Sequence, residues 1–91
     1  MAFNVFLNRQ AAKFLSRLAP KLKEQLREKL KELEHYPQLS LDFVKIAGEA
    51  DTFRLRSGDY RALFKVYEKE RVIVILKIDH RRSIYKNLPQ Q

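Results

Sequence analysis

The sequence has no cysteine, no tryptophan, two glycines and three prolines among its 91 residues. The absence of cysteine excludes disulfides, thiol catalysis and cysteine-based zinc or iron–sulfur sites. Gly48 and Gly58 stand apart, so the sequence has no glycine-rich phosphate loop. His35 and His80 also stand far apart without clustered carboxylates, and we therefore predict no metal ion and no other cofactor.

Long apolar runs are missing as well. No segment approaches the roughly 20 apolar residues that cross a bilayer, and the first residues do not show a basic segment followed by a long apolar one. We therefore expect a soluble, cytoplasmic protein with no membrane partner. Its 45% hydrophobic and 33% charged residues exclude a disordered chain, and its length suits one compact domain over residues 1–91.

Positive charge is what the sequence has in excess. It carries 19 lysines and arginines against 11 aspartates and glutamates, a formal net charge of +8. Residues 1–50 contain nine basic and six acidic side chains, whereas residues 51–91 contain ten and five. Such a charge indicates nucleic acid as the first partner and anionic lipid as the second. The excess lies mainly in the second half of the chain.

The first half of the sequence has a helical period. Residues 3–7 predict a short strand, and Asn8 can cap the helix that follows because its side-chain oxygen accepts an amide hydrogen bond from the first turn. Pro20 suits the first turn of a second helix, which we expect to continue to Tyr36. The leucines of this helix that are expected to face the core are Leu22, Leu26, Leu30 and Leu33.

From residue 41 the apolar period becomes an alternation, which predicts strands over 41–46, 52–56, 60–67 and 72–78. A turn at Ser57-Gly58-Asp59 separates the second and third of these strands. We therefore predict an α+β domain in the order β-α-α-β-β-β(β). Its two-helix hairpin would pack on one face of a mostly antiparallel sheet.

Alternation also decides which side chains the helices leave uncovered. If the helices cover Phe53 and Leu55, then Arg54 and Arg56 project from the other face of the sheet. Arg61 follows a tight turn and can join them across the strand pair.

The last strand is expected to add cations to the same face, because Lys77 and Arg81 share one side if extended geometry continues. Like charges so close repel one another, and an anion relieves that repulsion. We therefore predict a concave phosphate-binding patch. The alternative left open is that the arginines pair with carboxylates. Those carboxylates are Glu49, Asp51, Asp59, Glu68, Glu70 and Asp79.

Residues 79–86 form a polar and basic segment that includes Arg82 and Lys86. His80 is a candidate acid or base because imidazole titrates near neutrality. A structural or simply exposed histidine is the alternative. Tyr85 can stack on a base or, equally, close one end of the core.

Two segments of the second half carry a resemblance. They are RLRSGDYR at residues 54–61 and IDHRRSIY at residues 78–85, and they follow the predicted strand and helix pair. In order and spacing they resemble the RelE/ParE toxin superfamily, most of all RelE-type toxins, including archaeal ones. The resemblance covers nearly the whole chain.

This resemblance implies the toxin of a type II toxin–antitoxin system, a ribosome-dependent endoribonuclease that cuts mRNA in the A site. The 2′-hydroxyl would attack the neighbouring phosphate, and an acidic, RelB-like antitoxin would block the toxin. By motif, Arg61 and Arg81 match the residues that hold the scissile phosphate, and Tyr85 matches the aromatic that orients a base. Arg54 and Arg56 match basic strand positions that face the RNA.

The charge pattern of the strands and the resemblance together indicate the site residues. We expect catalytic roles for Arg61, Arg81, Tyr85 and His80. We expect RNA- or phosphate-binding roles for Arg54, Arg56, Lys77, Arg82 and Lys86.

In one place the sequence departs from the family's pattern. RelE toxins of the best-known type carry two lysines at positions that match Thr52 and Arg54, and one of those lysines is a proposed base. Threonine cannot take that role, and an arginine keeps its proton. The base is therefore open between His80, Lys77 and a mechanism that depends mainly on positioning.

Two other functions stay open. A ParE-like toxin of the same fold would inhibit DNA gyrase by protein contact, and the presence of Arg81 with Tyr85 argues against it. An inactive RNA-binding relative is the second alternative, which Thr52 favours.

Overall fold

The computed structural model describes residues 2–82. The elements are, in chain order, β1 (Asn4–Leu7), α1 (Arg9–Ser16), α2 (Pro20–Lys31), a 3₁₀ turn (Glu32–His35), β2 (Asp42–Lys45), β3 (Thr52–Ser57), β4 (Tyr60–Tyr67) and β5 (Val72–His80). This order confirms the predicted α+β fold, in which two helices pack on a mostly antiparallel sheet. The second helix ends at Lys31, and the 3₁₀ turn takes up the last residues of the predicted helix.

Both helix starts follow the local chemistry of the sequence. The side-chain oxygen of Asn8 accepts a hydrogen bond of 2.8 Å from the amide of Ala11, which satisfies one of the unpaired amides of the first turn of α1. Pro20 is the first residue of α2, where the missing amide hydrogen costs no helical hydrogen bond.

The sheet has the strand order β1-β5-β4-β3-β2. Strands β2 to β5 form an antiparallel meander, and β1 pairs with β5 in parallel. A strand that is apolar on both faces suits the interior of a sheet, and β5 lies between β1 and β4. At the edge, β1 continues the sheet beyond β5 and connects directly to α1.

The core lies between the helices and one face of the sheet, which we call the helix face. Ala11, Leu15 and Leu30 of the helices pack there in one cluster with Leu55 and Phe64 of the strands. Burial of this apolar surface is the main stabilising term, worth roughly 25 cal/mol for each Å² removed from water.

Leu22 was expected in this core, and that expectation was wrong. Its side chain is 41% exposed, and it borders a groove of about 440 Å³ beside the β3–β4 turn. Leu26, Leu30 and Leu33 are buried as predicted. The helical period was right, but the first turn of α2 faces the groove and not the sheet.

A β-bulge interrupts the pairing of β4 with β5. Leu63 pairs with Lys77, whereas the next residue of β4, Phe64, pairs with Ile75, so that Leu76 is the extra residue. A bulge of this kind shifts the alternation of the strand by one residue. Ile75 before the bulge and Ile78 after it are therefore both buried on the helix face.

The helices described within residues 2–82 include none that is long and apolar enough to cross a membrane.

Candidate nucleic-acid interface

The sheet surface opposite the helices carries Arg54, Arg56 and Arg61, and we call it the arginine face. Arg56 lies directly across from Arg61 in the register of β3 and β4, and Arg54 lies two residues further along β3, opposite Leu63. Because side chains alternate along a strand, the neighbours of these arginines, Leu55 among them, point into the core. The three arginines thus lie on the face of the sheet that the helices leave uncovered, as the alternation in the sequence indicated.

Arg81 comes to the same place from a third element. Its backbone amide, just after the end of β5, donates a hydrogen bond of 2.8 Å to the carbonyl of Asp59 in the β3–β4 turn. Asp79, two residues earlier, pairs with Arg61, so alternation puts Arg81 on the arginine face as well. We call Arg54, Arg56, Arg61 and Arg81 the arginine cluster.

The charges of this cluster act on one another. The pKa of Arg61 is lowered from its ordinary value, first by partial burial and then by the positive charges of Arg56, Arg54 and Arg81, while the Asp59 carboxylate opposes the shift. An arginine pKa begins so far above neutrality that the guanidinium stays charged. The cluster is therefore a set of mutually repelling cations, which a bound anion would stabilise.

Backbone carbonyls hold the guanidinium of Arg61 at the β3–β4 turn. Its Nη1 donates to the carbonyl of Gly58 at 2.7 Å and to that of Tyr60 at 3.0 Å. Gly58 has a φ of +59°, a left-handed conformation that glycine adopts without a steric penalty. The turn thus fixes both the backbone and the side chain of Arg61.

A carboxylate partner is present at the edge of the cluster. Asp42 of β2 lies across from Arg56 in register, and its Oδ2 is 3.9 Å from Nη1 of Arg56, with both side chains exposed. An exposed pair at this distance contributes little to stability. Asp42 is not one of the six carboxylates that the sequence offered as partners.

The bulge brings Lys77 to the arginine face. Without the bulge, Lys77 would share the side of Ile73 and Ile75, which are in the core. Instead it pairs with Leu63, whose other neighbour in register is Arg54. The Lys77 side chain is only 7% exposed. An amine is thus held close to the arginine cluster and largely out of water.

The structure does not bring His80 to the arginine cluster. His80 pairs with Tyr60 on the helix-facing side, and the two rings lie edge to face with their centroids 6.1 Å apart. Proximity in sequence to Arg81 suggested a shared site, but adjacent residues of a strand point to opposite faces. This placement counts against the predicted role of His80 as acid or base.

Thr52 is also engaged elsewhere. It is buried, and its hydroxyl donates to the carbonyl of Ala50 at 2.9 Å. Its neighbour in register on β4 is Lys65, which sequence analysis did not assign to the site. Lys65 lies four residues after Arg61 on β4, so alternation puts both side chains on the same face of the sheet. This spacing is the feature of the sequence that could have connected Lys65 with the site.

The remaining predicted residues follow β5. Arg82 is exposed, and its amide lies 3.4 Å from Nδ1 of His80, a long hydrogen bond. Tyr85 and Lys86 lie outside the described residues, so their predicted roles stay predictions. Within residues 2–82 no group of three histidine, cysteine or carboxylate side chains is arranged to hold a metal ion.

Comparison with known families gives a match over most of the chain. The family described as "ParE toxin of type II toxin-antitoxin system, parDE" matches residues 5–85. Among curated proteins, toxin RelG of Mycobacterium tuberculosis is 43% identical over 37 residues, which are 41% of this chain and 42% of RelG. The putative toxin RelE1 of Methanocaldococcus jannaschii is 33% identical over 51 residues, which are 56% of this chain and 57% of that toxin. The chain thus matches about half the length of these relatives.

Solved structures match over a longer span. The archaeal RelE–RelB complex from Pyrococcus horikoshii contains a chain that is 33% identical, with a TM-score of 0.76 over 89% of this chain and 97% of that one. The toxin–antitoxin complex RelBE2 of Mycobacterium tuberculosis contains a chain that is 28% identical, with a TM-score of 0.75 over 89% of this chain and 100% of that one.

These matches confirm the resemblance to the RelE/ParE superfamily that the two sequence segments indicated. They agree with one another on the fold, since the strand order and the helix pair described above are those of a RelE-like toxin. The chain therefore belongs to the ParE toxin family of type II toxin–antitoxin systems and is RelE-like in structure.

Proposed function

We propose that this toxin is an endoribonuclease that cuts mRNA in the ribosomal A site and so inhibits translation in the cytoplasm. The observation that carries the proposal is the arginine cluster, in which Arg54 and Arg56 of β3 and Arg81, just after β5, surround Arg61 of β4 on the face that the helices leave open. Guanidinium groups match phosphate oxygens in pairs of parallel hydrogen bonds. A single phosphodiester is the anion that best fits several such groups at one place.

The reaction proposed for this site is an internal transfer at phosphorus. The 2′-oxygen forms a bond to phosphorus and loses its proton, the bond from phosphorus to the 5′-oxygen breaks, and that oxygen takes up a proton. Negative charge builds up on the phosphoryl oxygens on the way. Arg61 and Arg81 would hold those oxygens and stabilise the added charge, an effect that often dominates catalysis.

The proton from the 2′-hydroxyl needs an acceptor or a path to solvent. Arginine does not accept it, Thr52 donates its hydroxyl to a carbonyl, and His80 lies on the helix face. Lys77 is the titratable group that shares the arginine face and is shielded from water. We therefore assign Lys77 as the base, with positioning by the ribosome as the alternative, which can be worth about 7–11 kcal/mol.

The outer cations and the aromatic residue complete the proposed RNA contacts. Arg54 and Arg56 would bind the RNA backbone along β3, and Arg82 and Lys86 would add contacts after β5. Tyr85 would stack on a base of the substrate, which is typically worth about 1–3 kcal/mol.

An antitoxin is the second proposed partner. The similar solved chains come from complexes named as RelE with RelB and as the toxin–antitoxin complex RelBE2. A partner for a chain with a net charge of +8 should be acidic. We therefore expect an acidic, RelB-like antitoxin that covers the arginine face and keeps RNA away from it.

Cleavage on programmed ribosomes tests the proposal. Arg81→Ala should lower the cleavage rate at least tenfold, about 1.4 kcal/mol in the barrier, while ribosome binding changes less. Arg9→Ala is the matched control, because Arg9 is an exposed arginine at the start of α1, away from the arginine face. Equal cleavage by the parent and the Arg81 variant would remove Arg81 from the site.

A gyrase inhibitor is the second candidate function, because the matching family carries the ParE description. A supercoiling assay distinguishes it from the ribonuclease. If the parent protein leaves mRNA intact on ribosomes and blocks supercoiling, the ribonuclease proposal is wrong. If it does neither but binds ribosomes, the inactive RNA-binding relative is the correct alternative.

A further inference from the structure

The arginine face continues past the arginine cluster along β4, where it carries Lys65 and Tyr67. Both residues are an even number of positions from Arg61 on the same strand, so they point to the same side. The ammonium group of Lys65 lies 5.5 Å from the ring centroid of Tyr67. Tyr67 is 39% exposed, so part of its ring is open to a ligand.

The residues that pair with Lys65 across the sheet carry no charge. In register, Lys65 lies between Thr52 on β3 and Val74 on β5, and Val74 in turn pairs with Phe6 of β1. Phe6 is 54% exposed. The carboxylates of this face, Asp42 and Asp79, belong to the row of Arg56 and Arg61 at the other end.

Lys65 and Tyr67 lie at a distance from the arginine cluster. Four residues of strand between Arg61 and Lys65 span roughly 13 Å. The guanidinium of Arg61 is held at the β3–β4 turn by Gly58 and Tyr60, whereas the ammonium of Lys65 lies beside Tyr67 near the other end of β4. Because the two cationic groups point away from each other, one phosphate does not contact both. A ligand that contacts both must carry more than one anionic group along an extended backbone.

We propose that Lys65 and Tyr67 form a second subsite for single-stranded RNA, at which Lys65 binds a phosphate next to the one held by the arginine cluster and Tyr67 stacks on a base. The inference rests on the proposed function and extends it, because it makes the substrate a strand that runs along β4 and not an isolated phosphodiester. Stacking on an aromatic ring tolerates any base, so the subsite lengthens the contact without choosing a sequence.

The chemistry of the pair favours RNA over an acidic protein segment. An ammonium beside an exposed ring matches a phosphate beside a base, and on β4 no carboxylate lies between Arg61 and Tyr67. The subsite is continuous with the arginine cluster on the same strand. An acidic protein segment would use the charge of Lys65 but would gain little from a flat aromatic face.

Binding of a single-stranded RNA octanucleotide, methylated at its 2′-oxygens so that it cannot be cut, tests the subsite without ribosomes. The variants are Lys65→Gln and Tyr67→Ala, measured by fluorescence anisotropy over a range of salt concentrations. The control is Lys45→Gln, because Lys45 is an exposed strand lysine that pairs with Phe53 on the helix-facing side. It removes the same charge from the other side of the sheet.

Each variant has its own expected signature. Lys65→Gln should weaken binding and reduce the slope of log affinity against log salt by about 0.7, the value for one phosphate contact on a single strand. Tyr67→Ala should weaken binding roughly tenfold and leave that slope unchanged, because stacking releases no counterions. Lys45→Gln should match the parent protein.

Other results overturn the subsite. It is wrong if Lys65→Gln behaves like Lys45→Gln, or if the parent protein does not bind the octanucleotide. Polyglutamate of equal charge is the second probe. If it binds as tightly as RNA and loses as much in both variants, the pair is a contact for acidic protein. Failure here leaves the Arg81 experiment on ribosomes unaffected, so the two proposals fall separately.

Discussion

The two faces of the sheet are built from the same strands, but one carries packed apolar side chains and the other carries positive charges. On the helix face, Tyr36, Phe43, Phe53 and Phe64 form a cluster of aromatic rings, with Phe53 and Phe64 stacked at 5.4 Å. On the arginine face, burial lowers the pKa of Arg61, and the guanidinium groups of the three other arginines of the cluster lower it further. One face gains free energy from its own contacts, whereas on the other face the like charges of the arginine cluster repel one another.

This difference separates residues that maintain the fold from residues that are free to serve function. Phe64 and Leu63 are adjacent on β4, yet only Phe64 belongs to the helix-side core. A side chain that contributes little to stability and repels its neighbours has another reason to be there. On β3 and β4, the alternation of side chains along the strand decides whether a residue belongs to the core or to the arginine face.

The largest expected effect is the difference in stability between a substitution in the core and a substitution on the arginine face. Phe64→Ala should lower the free energy of unfolding by about 3–5 kcal/mol, because it leaves a cavity in a fully buried site. Arg61→Ala, on the same strand, should change it by no more than about 0.5 kcal/mol, because it removes exposed hydrogen bonds and a repulsion together. Urea denaturation of both variants measures the two values.

The opposite result would contradict the assignment of the helix face to stability and of the arginine face to function. If Arg61→Ala destabilised the protein as much as Phe64→Ala, the arginine face would be structural, and the contacts that Arg61 makes within the chain would outweigh the repulsion between the arginines. Since Phe64→Ala can prevent folding in so small a domain, Phe64→Leu serves as the milder variant and should lie between the two.

A smaller effect is expected within the arginine face, where Lys77 differs from the arginines because it carries an amine and not a guanidinium. If Lys77 is the base, then Lys77→Met and Lys77→Arg should both slow cleavage, each by about 100-fold. The rate is measured on programmed ribosomes at saturating toxin. Circular dichroism of both variants checks that the fold is kept around this 7% exposed side chain.

Lys77→Arg is the decisive member of the pair, because a guanidinium supplies positive charge but does not accept a proton. Cleavage by Lys77→Arg at the parent rate would show that Lys77 supplies charge alone. The mechanism would then depend on positioning by the ribosome and on the arginine cluster.

Most of the fold could be predicted because local rules agree with the global arrangement. Asn8 and Pro20 mark the starts of the two helices, and Gly58 marks the turn that brings Arg61 across from Arg56. Clean alternation in β3 and β4 then fixes the faces. Nothing beyond the nearest residues was needed for these assignments.

The parts that failed depend on information that lies outside a local window. The bulge at Leu76 follows from how β5 pairs with β4, and its only trace in the sequence is the spacing of Ile73, Ile75 and Ile78, which changes from two to three. The face on which His80 lies could not be inferred from its proximity to Arg81, because adjacent residues of a strand point to opposite faces. Its role as acid or base stays a prediction. Leu22 had the right period, but its exposure depends on where α2 meets the β3–β4 turn.

The smallest expected effect concerns the connection between the helix layer and the edge of the sheet. Glu32 is the first residue of the 3₁₀ turn, and its carboxylate accepts hydrogen bonds from the hydroxyl and the amide of Ser40. These bonds lower the pKa of Glu32. A carboxyl whose pKa is lower in the folded state stabilises that state above its unfolded pKa, and the contribution disappears as the pH falls through the folded value. Glu32→Gln should therefore lower the melting temperature slightly at neutral pH. The effect should shrink below the ordinary glutamate pKa of about 4 and vanish once the pH has fallen through the lowered pKa of the folded state.

Glu28→Gln is the matched control, since Glu28 is an exposed glutamate of α2 that does not contact Ser40 in the hydrogen bonds of this connection. Thermal unfolding of both variants and the parent across acidic pH measures the difference directly. A gap between the parent and Glu32→Gln that stays constant on acidification would mean that the side chain acts through shape and not through charge. The aromatic core would then hold β2 in place without help from this carboxylate, because Phe43 of β2 packs against Tyr36 and Phe53 on the helix face.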